Sequence, residues 1–172
     1  MHFVSWGQGV TGMVRIPWRW IIRSIGVAWV VAAITLVVTA NLPALAADPA
    51  PDFAAARLDG QGDLALRDLR GDVLLVNGWA TWCEPCREEM PLLQQLHQEY
   101  ASSGLQVIGV SLDSGDADTR VRDFADETGV TFTLLRDPRN TFSRTFRTSG
   151  VPETVLIDRD GNEIYRWKGP LT

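Results

Sequence analysis

The chain of 172 residues contains two cysteines, Cys83 and Cys86, which lie in the stretch TWCEPCREEMP. This stretch directly follows an apolar run, DVLLVNGWA, at 72–80. Cysteines at this spacing can bind a metal ion, form a structural disulfide, or cycle between a dithiol and a disulfide. The chemistry of the chain depends on which of these three applies.

Zinc binding and a structural bridge both fit the pair poorly. Zinc takes four ligands, and His97 would lie too far along the following helix from Cys86 to join it. A disulfide across two residues closes a very short loop, so it removes little entropy from the unfolded chain. We therefore expect no metal and a reactive pair, although two thiolates would suffice to carry Cu(I).

A reactive pair needs a thiolate, and the N-terminus of a helix favours one through its unpaired N–H groups and its dipole. Cys83, flanked by Trp82, is the expected exposed nucleophile. Cys86, one turn inside, is expected to be shielded and to resolve the mixed disulfide. Pro85 suits a first helical turn. The negative charge of Glu84 counteracts the effect of the helix dipole on the thiol and should keep the thiol pKa from falling far. A higher thiol pKa favours a reductant over a strong oxidant.

The predicted elements place this pair at the carboxyl end of a strand. Continuous apolar runs at 72–80 and 105–113 are typical of strands buried on both faces. A helical stripe follows each run: Met90, Leu93, Leu96 and Tyr100, then Val121, Phe124, Ala125 and Thr128. The other predicted elements are a hairpin around 59–62, a strand at 131–137, a short helix marked by Phe142 and Phe146, and a hairpin of 153–158 with 162–168. This order predicts an α/β fold with a mixed central sheet flanked by helices.

A second motif, SGVPETVLID, places Pro152 at the start of a strand. Proline in a central strand is misplaced unless it has a special role. A cis Val151–Pro152 bond would leave the Val151 backbone free to pair with a substrate segment. An ordinary trans proline at a strand start is the alternative.

The N-terminal residues 1–46 are predicted to be a targeting segment. Three arginines precede an apolar run at 25–38, and NLPALAAD then offers small residues typical of a cleavage site. The segment is either a cleaved signal peptide or a retained signal-anchor, that is, a membrane anchor. Residues 47–51 are predicted to be a linker and residues 52–172 the folded domain.

Charge and export restrict the partners. All 21 Asp and Glu residues, but only 13 of the 16 Lys and Arg residues, lie after residue 46. An acidic body argues against nucleic acid as a partner. The arginines of the leader stay cytoplasmic, so the body is expected outside the cytoplasm, in a bacterial periplasm or at the outer face of the cytoplasmic membrane. Disulfides can form and persist there.

The chain resembles the thioredoxin-like thiol–disulfide oxidoreductases, in the exported branch of TlpA, ResA and CcmG (DsbE) within the redoxin (AhpC/TSA) superfamily. The matching motifs are NGWATWCEPCREEMP and GVPETVLIDRDGNEIY, and the resemblance covers residues 51–172. It implies a thioredoxin fold with an N-terminal hairpin, an inserted helix–strand unit, and cis-Pro152 facing Cys83. It also implies client protein disulfides, such as those of apocytochrome c, a membrane thiol reductase as electron donor, and no cofactor beyond a Cys83–Cys86 disulfide.

Two positions next to the motif depart from this family or from the cytoplasmic thioredoxins. Gly78 stands where members usually carry Phe, which predicts looser packing under the active site. Asn77 stands where cytoplasmic thioredoxins carry a buried Asp, so another group must handle the proton of Cys86. Glu89, on the same helical face, is the first candidate, and the alternative for it is a plain first-turn acid. Glu153, next to Pro152, is the second candidate.

The end of the sequence is a further departure. The chain stops at KGPLT, where the resemblance implies a C-terminal helix, so that helix is expected to be missing. We therefore expect the final hairpin to expose some of its apolar side chains: Val155, Ile157, Ile164 and Trp167.

The leading functional hypothesis is an exported dithiol reductant of client proteins. A peroxiredoxin-like peroxidase is one alternative. Its pattern, P-x-x-x-[ST]-x-x-C, requires Ser or Thr three residues before the reactive cysteine, but that position is Ala80 for Cys83 and Cys83 for Cys86. A Cu(I)-binding carrier is the other. Metal content after reduction, compared with the rate of insulin disulfide reduction, distinguishes a carrier from a reductase.

Overall fold

The computed structural model describes residues 48–172, which form an eight-stranded sheet with helices on both faces. The predicted leader, 1–46, and Ala47 lie outside the described residues. The strands are β1 (Asp48–Pro49), β2 (Ala54–Arg57), β3 (Asp63–Ala65), β4 (Val73–Trp79), β5 (Leu105–Ser111), β6 (Thr133–Arg136), β7 (Glu153–Ile157) and β8 (Asn162–Lys168). The α-helices are α1 (Glu84–Tyr100), α2 (Asp118–Thr128) and α3 (Thr141–Phe146), and short 3-10 helices span Leu66–Leu69 and Ala101–Ser103.

The sheet has the order β1-β8-β7-β4-β5-β6-β2-β3. Strands β4, β5 and β6 are parallel, because α1 and α2 return the chain between them. Strand β7 runs antiparallel to β4, and β8 antiparallel to β7. The mixed α/β sheet and the N-terminal hairpin of β2 and β3 are as the sequence predicts.

Alternation along β4 divides the core between the two faces of the sheet. Leu75 and Trp79 pack against buried side chains of α1 and α2. Leu74 and Val76 point the other way, into a cluster with α3. Both faces of β4 are therefore covered, which explains its continuous apolar sequence.

The helix after β4 begins and ends at recognisable residues. Cys83 is its N-cap, and Pro85 lies in its first turn, where a missing N–H costs nothing. After the 3-10 turn, Gly104 adopts the left-handed conformation with φ of 84°. Tyr100, predicted to belong to the buried stripe, is 43% exposed, because it is the last residue of α1.

One expectation about the ends of the domain is wrong. Asp48–Pro49, assigned to a linker, form β1 and pair with β8, whose edge N–H and C=O groups would otherwise lack backbone partners there. Some of four apolar side chains of the final hairpin were expected to be exposed, and of these Val155 and Ile157 are buried, because they face α3 across the sheet. Ile164 is 49% exposed, as expected.

Residues 169–172 form no helix, and Leu171 packs against the core cluster that contains α1. None of the helices in residues 48–172 has both the length and the hydropathy needed to cross a membrane.

Candidate active site

The two cysteines lie where β4 passes into α1. Cys83 and Cys86 are joined by a disulfide, and the Cys83 Sγ accepts a hydrogen bond from the backbone N–H of Cys86 at 3.2 Å. A sulfur atom at the N-cap therefore occupies the position where the helix end stabilises negative charge. This is the placement that the sequence predicts for a reactive thiol.

The exposure of the pair is smaller than expected. Cys83 retains 5% of its surface and Cys86 none, so Cys83 is the more accessible sulfur but is itself nearly buried. Trp82, with 71% of its surface exposed, is the prominent residue beside it. Glu84 and Pro85 are exposed on the first turn of α1. Trp82 and this turn are therefore more accessible from solvent than either sulfur atom.

A buried polar network lies one helical turn beyond Cys86. The Asn77 Nδ2 donates hydrogen bonds to the Glu89 Oε1 at 2.8 Å and to the Thr154 Oγ1 at 2.9 Å. The Leu171 N–H donates to the other carboxyl oxygen, the Glu89 Oε2, at 2.9 Å. The network thus joins β4, α1, β7 and the segment after β8 around one carboxyl group.

Glu89 lies in this network with only 1% of its surface exposed. Burial raises the pKa of the Glu89 carboxyl above its ordinary value of 4.5, and the hydrogen bonds from Leu171 and Asn77 offset part of that rise. Residues three apart on a helix have Cβ atoms about 5–6 Å apart, so Glu89 is within a turn of Cys86. A carboxyl with a raised pKa beside a buried thiol can exchange a proton with it.

The second motif contains a cis peptide bond, Val151–Pro152, as the sequence suggested. Val151 packs against the same core cluster that contains both cysteines. The Pro152 C=O accepts a hydrogen bond from the Gly169 N–H at 2.9 Å. By contrast, the neighbouring Val151 N–H and C=O form none of the loop and turn backbone hydrogen bonds found in residues 48–172. The Val151 N–H and C=O are therefore unpaired with other backbone groups of the described residues, beside the core cluster that contains the cysteines.

Glu153, the second acid candidate, is directed away from the cysteines. By the alternation of β7 it faces the side of α3, opposite to Thr154. Its Oε1 accepts from the Arg166 Nη1 at 2.9 Å, and its Oε2 accepts from the Ser149 N–H at 3.0 Å. Glu153 anchors the loop before Pro152, and a proton role for it beside Cys86 would have to cross the sheet.

The predicted loose packing at Gly78 is also wrong. A Cβ atom at this position would lie 2.7 Å from the Phe142 Cε1, because the Phe142 ring lies directly against the Gly78 backbone. Phe142 is completely buried. An aromatic ring from α3 thus occupies space that the resemblance assigns to a side chain on β4.

Sequence reasoning missed a second polar network, which supports the loop before Cys83. The buried Asp113 accepts from the Thr81 N–H at 3.0 Å, from the Thr81 Oγ1 at 2.6 Å and from the Ser111 Oγ at 3.0 Å. Arg136 in turn donates to the Ser111 Oγ at 3.0 Å. The available signal was an acid two residues after the end of the buried strand β5, in a region where parallel sheets carry functional groups.

No group of three or more His, Cys, Asp or Glu side chains in residues 48–172 is arranged to hold a metal ion.

Residues 46–165 match the AhpC/TSA family. The chain is 32% identical over 123 residues to the thiol-disulfide oxidoreductase ResA of Bacillus thuringiensis (strain Al Hakam), covering 72% of this chain and 69% of ResA. It is 38% identical over 113 residues to the thioredoxin-like protein YneN of Bacillus subtilis (strain 168), covering 65% of each. A crystal structure from Chlorobium tepidum, assigned as a thiol:disulfide interchange protein DsbE, shares 34% identity with a TM-score of 0.67, over 73% of this chain and 86% of that one.

Proposed function

Since the chain belongs to the AhpC/TSA family, in its thioredoxin-like TlpA/ResA/CcmG branch of thiol–disulfide oxidoreductases, we propose that it acts outside the cytoplasm as a dithiol reductant of client proteins. The observation that carries this proposal is the cysteine pair at the N-terminus of α1, with the completely buried Cys86 one turn from the buried Glu89. The proposal concerns the direction of electron flow, the client and the place of action.

The proposed reduction proceeds in two exchanges. The Cys83 thiolate attacks one sulfur of the client disulfide, forms a mixed disulfide, and releases the first client thiolate. Cys86 then loses its proton to Glu89, and its thiolate attacks the Cys83 sulfur, which releases the second client thiolate. Two electrons pass to the client, and the protein ends with the Cys83–Cys86 disulfide.

Client binding is proposed at Trp82 and at the loop before β7. Trp82 offers an exposed aromatic surface next to Cys83. The Val151 N–H and C=O could pair with an extended client segment, which would lie across the cysteine pair with its main chain held by hydrogen bonds. Pro152 and the ion-paired Glu153 hold this edge in place.

The client and the donor follow from the family rather than from the site. We propose apocytochrome c before haem attachment as a client, and a membrane thiol reductase as the source of electrons that regenerates the dithiol. Export is supported by the pattern of the leader in residues 1–46, whether it is cleaved or retained as an anchor.

The roles of the two cysteines are tested with Cys83→Ser and Cys86→Ser in the full chain. Cys83→Ser should abolish insulin disulfide reduction, because it removes the nucleophile. Cys86→Ser should still attack clients but should stall as a mixed disulfide, which mass spectrometry of complexes trapped in cells would identify. Trapping by the Cys83→Ser variant alone would show that the nucleophile is assigned to the wrong cysteine.

A further inference from the structure

The hydrogen bonds of the Asn77 amide leave one of its atoms without a partner. The Nδ2 donates twice, to Glu89 and to Thr154. The Oδ1 is buried and has no hydrogen-bond partner among residues 48–172. A buried acceptor without a partner costs free energy, and Asn77 and Thr154 are both completely buried. The N–H donors of Asn77 and Leu171 nevertheless suit an ionised Glu89, because a carboxylate only accepts hydrogen bonds.

Protonation of Glu89 changes what the network requires. The Leu171 N–H belongs to the backbone and continues to need the Oε2 as its acceptor. The added proton therefore belongs on the Oε1, where it would face the Asn77 Nδ2, also a donor. Two donors directed at each other repel, so the observed orientation of the amide suits the ionised acid better than an acid protonated on the side of Asn77.

Rotation of the amide by about 180° resolves this conflict, because the oxygen and nitrogen of an amide are nearly the same size. The Asn77 Oδ1 would then accept from the protonated Glu89. The Oδ1 would also accept from the Thr154 hydroxyl. That hydroxyl now accepts from the Asn77 Nδ2, and its hydrogen can rotate to point toward the Oδ1 instead. No heavy atom other than those of the amide needs to move. The NH₂ group then takes the buried place of the Oδ1, where no hydrogen-bond partner lies among residues 48–172, and the loss of its two acceptors is the cost of the rotation.

We propose that Asn77 and Thr154 are positioning residues that hold the Glu89 carboxyl in both of its protonation states, with the Asn77 amide turning over when the proton arrives. This inference rests on the proposed proton exchange between Glu89 and Cys86. It explains how a buried acid could exchange a proton without moving its carboxyl group.

The groups that face Glu89 are few. Within residues 48–172 its hydrogen-bond donors are the Asn77 amide of β4 and the Leu171 N–H, Thr154 of β7 is reached through Asn77, and Cys86 lies one turn earlier on the same helix. None of the ion pairs in the described part of the chain includes Glu89. The amide is therefore the side-chain group best placed to respond to the proton.

The first test uses NMR on the full chain with its disulfide formed. Nuclear Overhauser effects from the Asn77 amide protons to the γ-methyl group of Thr154 should be present at pH values above the Glu89 pKa and should be lost below it. In Glu89→Gln they should be absent at every pH, because the Leu171 N–H needs the glutamine oxygen and leaves the glutamine NH₂ facing Asn77. Effects that persist at low pH, or in Glu89→Gln, would overturn the proposal.

The second test measures the Glu89 pKa by the carboxyl ¹³C shift. Thr154→Val should raise it by up to about one unit, the size of one lost hydrogen bond. In the ionised state the substitution leaves one Asn77 N–H without an acceptor, whereas the oxygen of the turned amide loses one of two donors and keeps the Glu89 proton as its partner. Thr154→Ser keeps the hydroxyl and should restore the wild-type value. Equal values in all three proteins would contradict a positioning role for Thr154.

Failure of the proposed function gives a different result. If Glu89→Gln leaves the Cys86 titration in the reduced protein unchanged, Glu89 does not exchange a proton with Cys86. The amide rotation would still be decided by the Overhauser effects. If Glu89→Gln does shift that titration but the amide does not turn, only the inference about Asn77 and Thr154 fails.

Discussion

Glu89 is a buried carboxyl group that forms no ion pair within residues 48–172. Desolvation disfavours its charged form, and two N–H donors compensate only in part, so its pKa is raised. By contrast Glu153, equally buried, has Arg166 as its partner. At the residue scale the two buried acids therefore differ: Glu153 forms an ion pair with Arg166, whereas Glu89 has a raised pKa and no ion pair within residues 48–172.

A raised pKa has a consequence for stability. The free energy of unfolding of the wild type, relative to Glu89→Gln, should decrease as pH rises above 4.5, the ordinary glutamate value. The reason is that folded Glu89 retains a proton that the unfolded chain releases, and each unit of pKa shift is worth about 1.4 kcal/mol. The decrease should end once the pH exceeds the raised pKa.

Urea denaturation of the oxidised protein over a pH series measures this difference. Glu88→Gln is the matched control, because Glu88 is the exposed neighbour of Glu89 on the same helix. A difference that stays constant with pH would mean that the pKa of Glu89 is not raised by folding.

Strand β4 is the element on which the site depends, since it carries Asn77 on one face and packs Gly78 against α3 on the other. The short helix α3 places the Phe142 ring where a Cβ on Gly78 would lie. Phe142 also contacts Phe53 and Phe146, with ring centroids 5.4 Å and 4.7 Å away. This aromatic cluster supports the strand directly behind the active site.

The close contact predicts coupled substitutions. Gly78→Ala should destabilise the protein by about 1–3 kcal/mol through overpacking, and Phe142→Ala by about 3–5 kcal/mol through the cavity it leaves. The double variant should cost less than the sum, because the new methyl group enters the vacated space. Denaturant unfolding of the four proteins gives the coupling energy.

Gly150→Ala is the control for adding a methyl group, because no atom lies within 4 Å of the corresponding Cβ position. Its stability should change by no more than about 0.5 kcal/mol. Strict additivity of Gly78→Ala and Phe142→Ala would show that the ring and the glycine do not share this space.

At the scale of the whole molecule, the chain combines a basic, apolar segment at residues 1–46 with an acidic remainder. The three Arg residues of 1–46 contrast with the remaining chain, which holds all 21 acidic residues. This asymmetry favours retention of the arginines in the cytoplasm and export of the domain. Export would place Cys83 and Cys86 where a disulfide can persist.

Export predicts the behaviour of a fusion protein. Alkaline phosphatase joined after Thr172 should be active in bacteria, because it folds only where its own disulfides form. The same fusion without residues 1–46 should be made but inactive. Activity in the shortened fusion, or none in the full-length one, would contradict export by the leader.

Much of this protein could be predicted from local sequence. The spacing of Cys83 and Cys86 after an apolar run, and the proline at a strand start, indicated the chemistry and the fold, because both patterns involve residues close in the chain. The continuous apolar runs of β4 and β5 are typical of strands buried on both faces, and the stripes of α1 and α2 follow the helical period. Glu89 was identifiable for the same reason, since it lies one helical turn from Cys86.

Tertiary structure alone decided which distant groups meet. Asn77 contacts Thr154 across 77 positions of the chain, and Leu171 contacts Glu89 across 82, and no periodic pattern reports such pairings. Three further contacts also join groups that are distant in the chain. The Phe142 ring lies against Gly78, Asp113 accepts hydrogen bonds from Thr81, and Glu153 pairs with Arg166 rather than facing the cysteines. Each depends on how the strands are ordered and which face a side chain occupies, and these are set by packing of the whole domain rather than by neighbours in sequence.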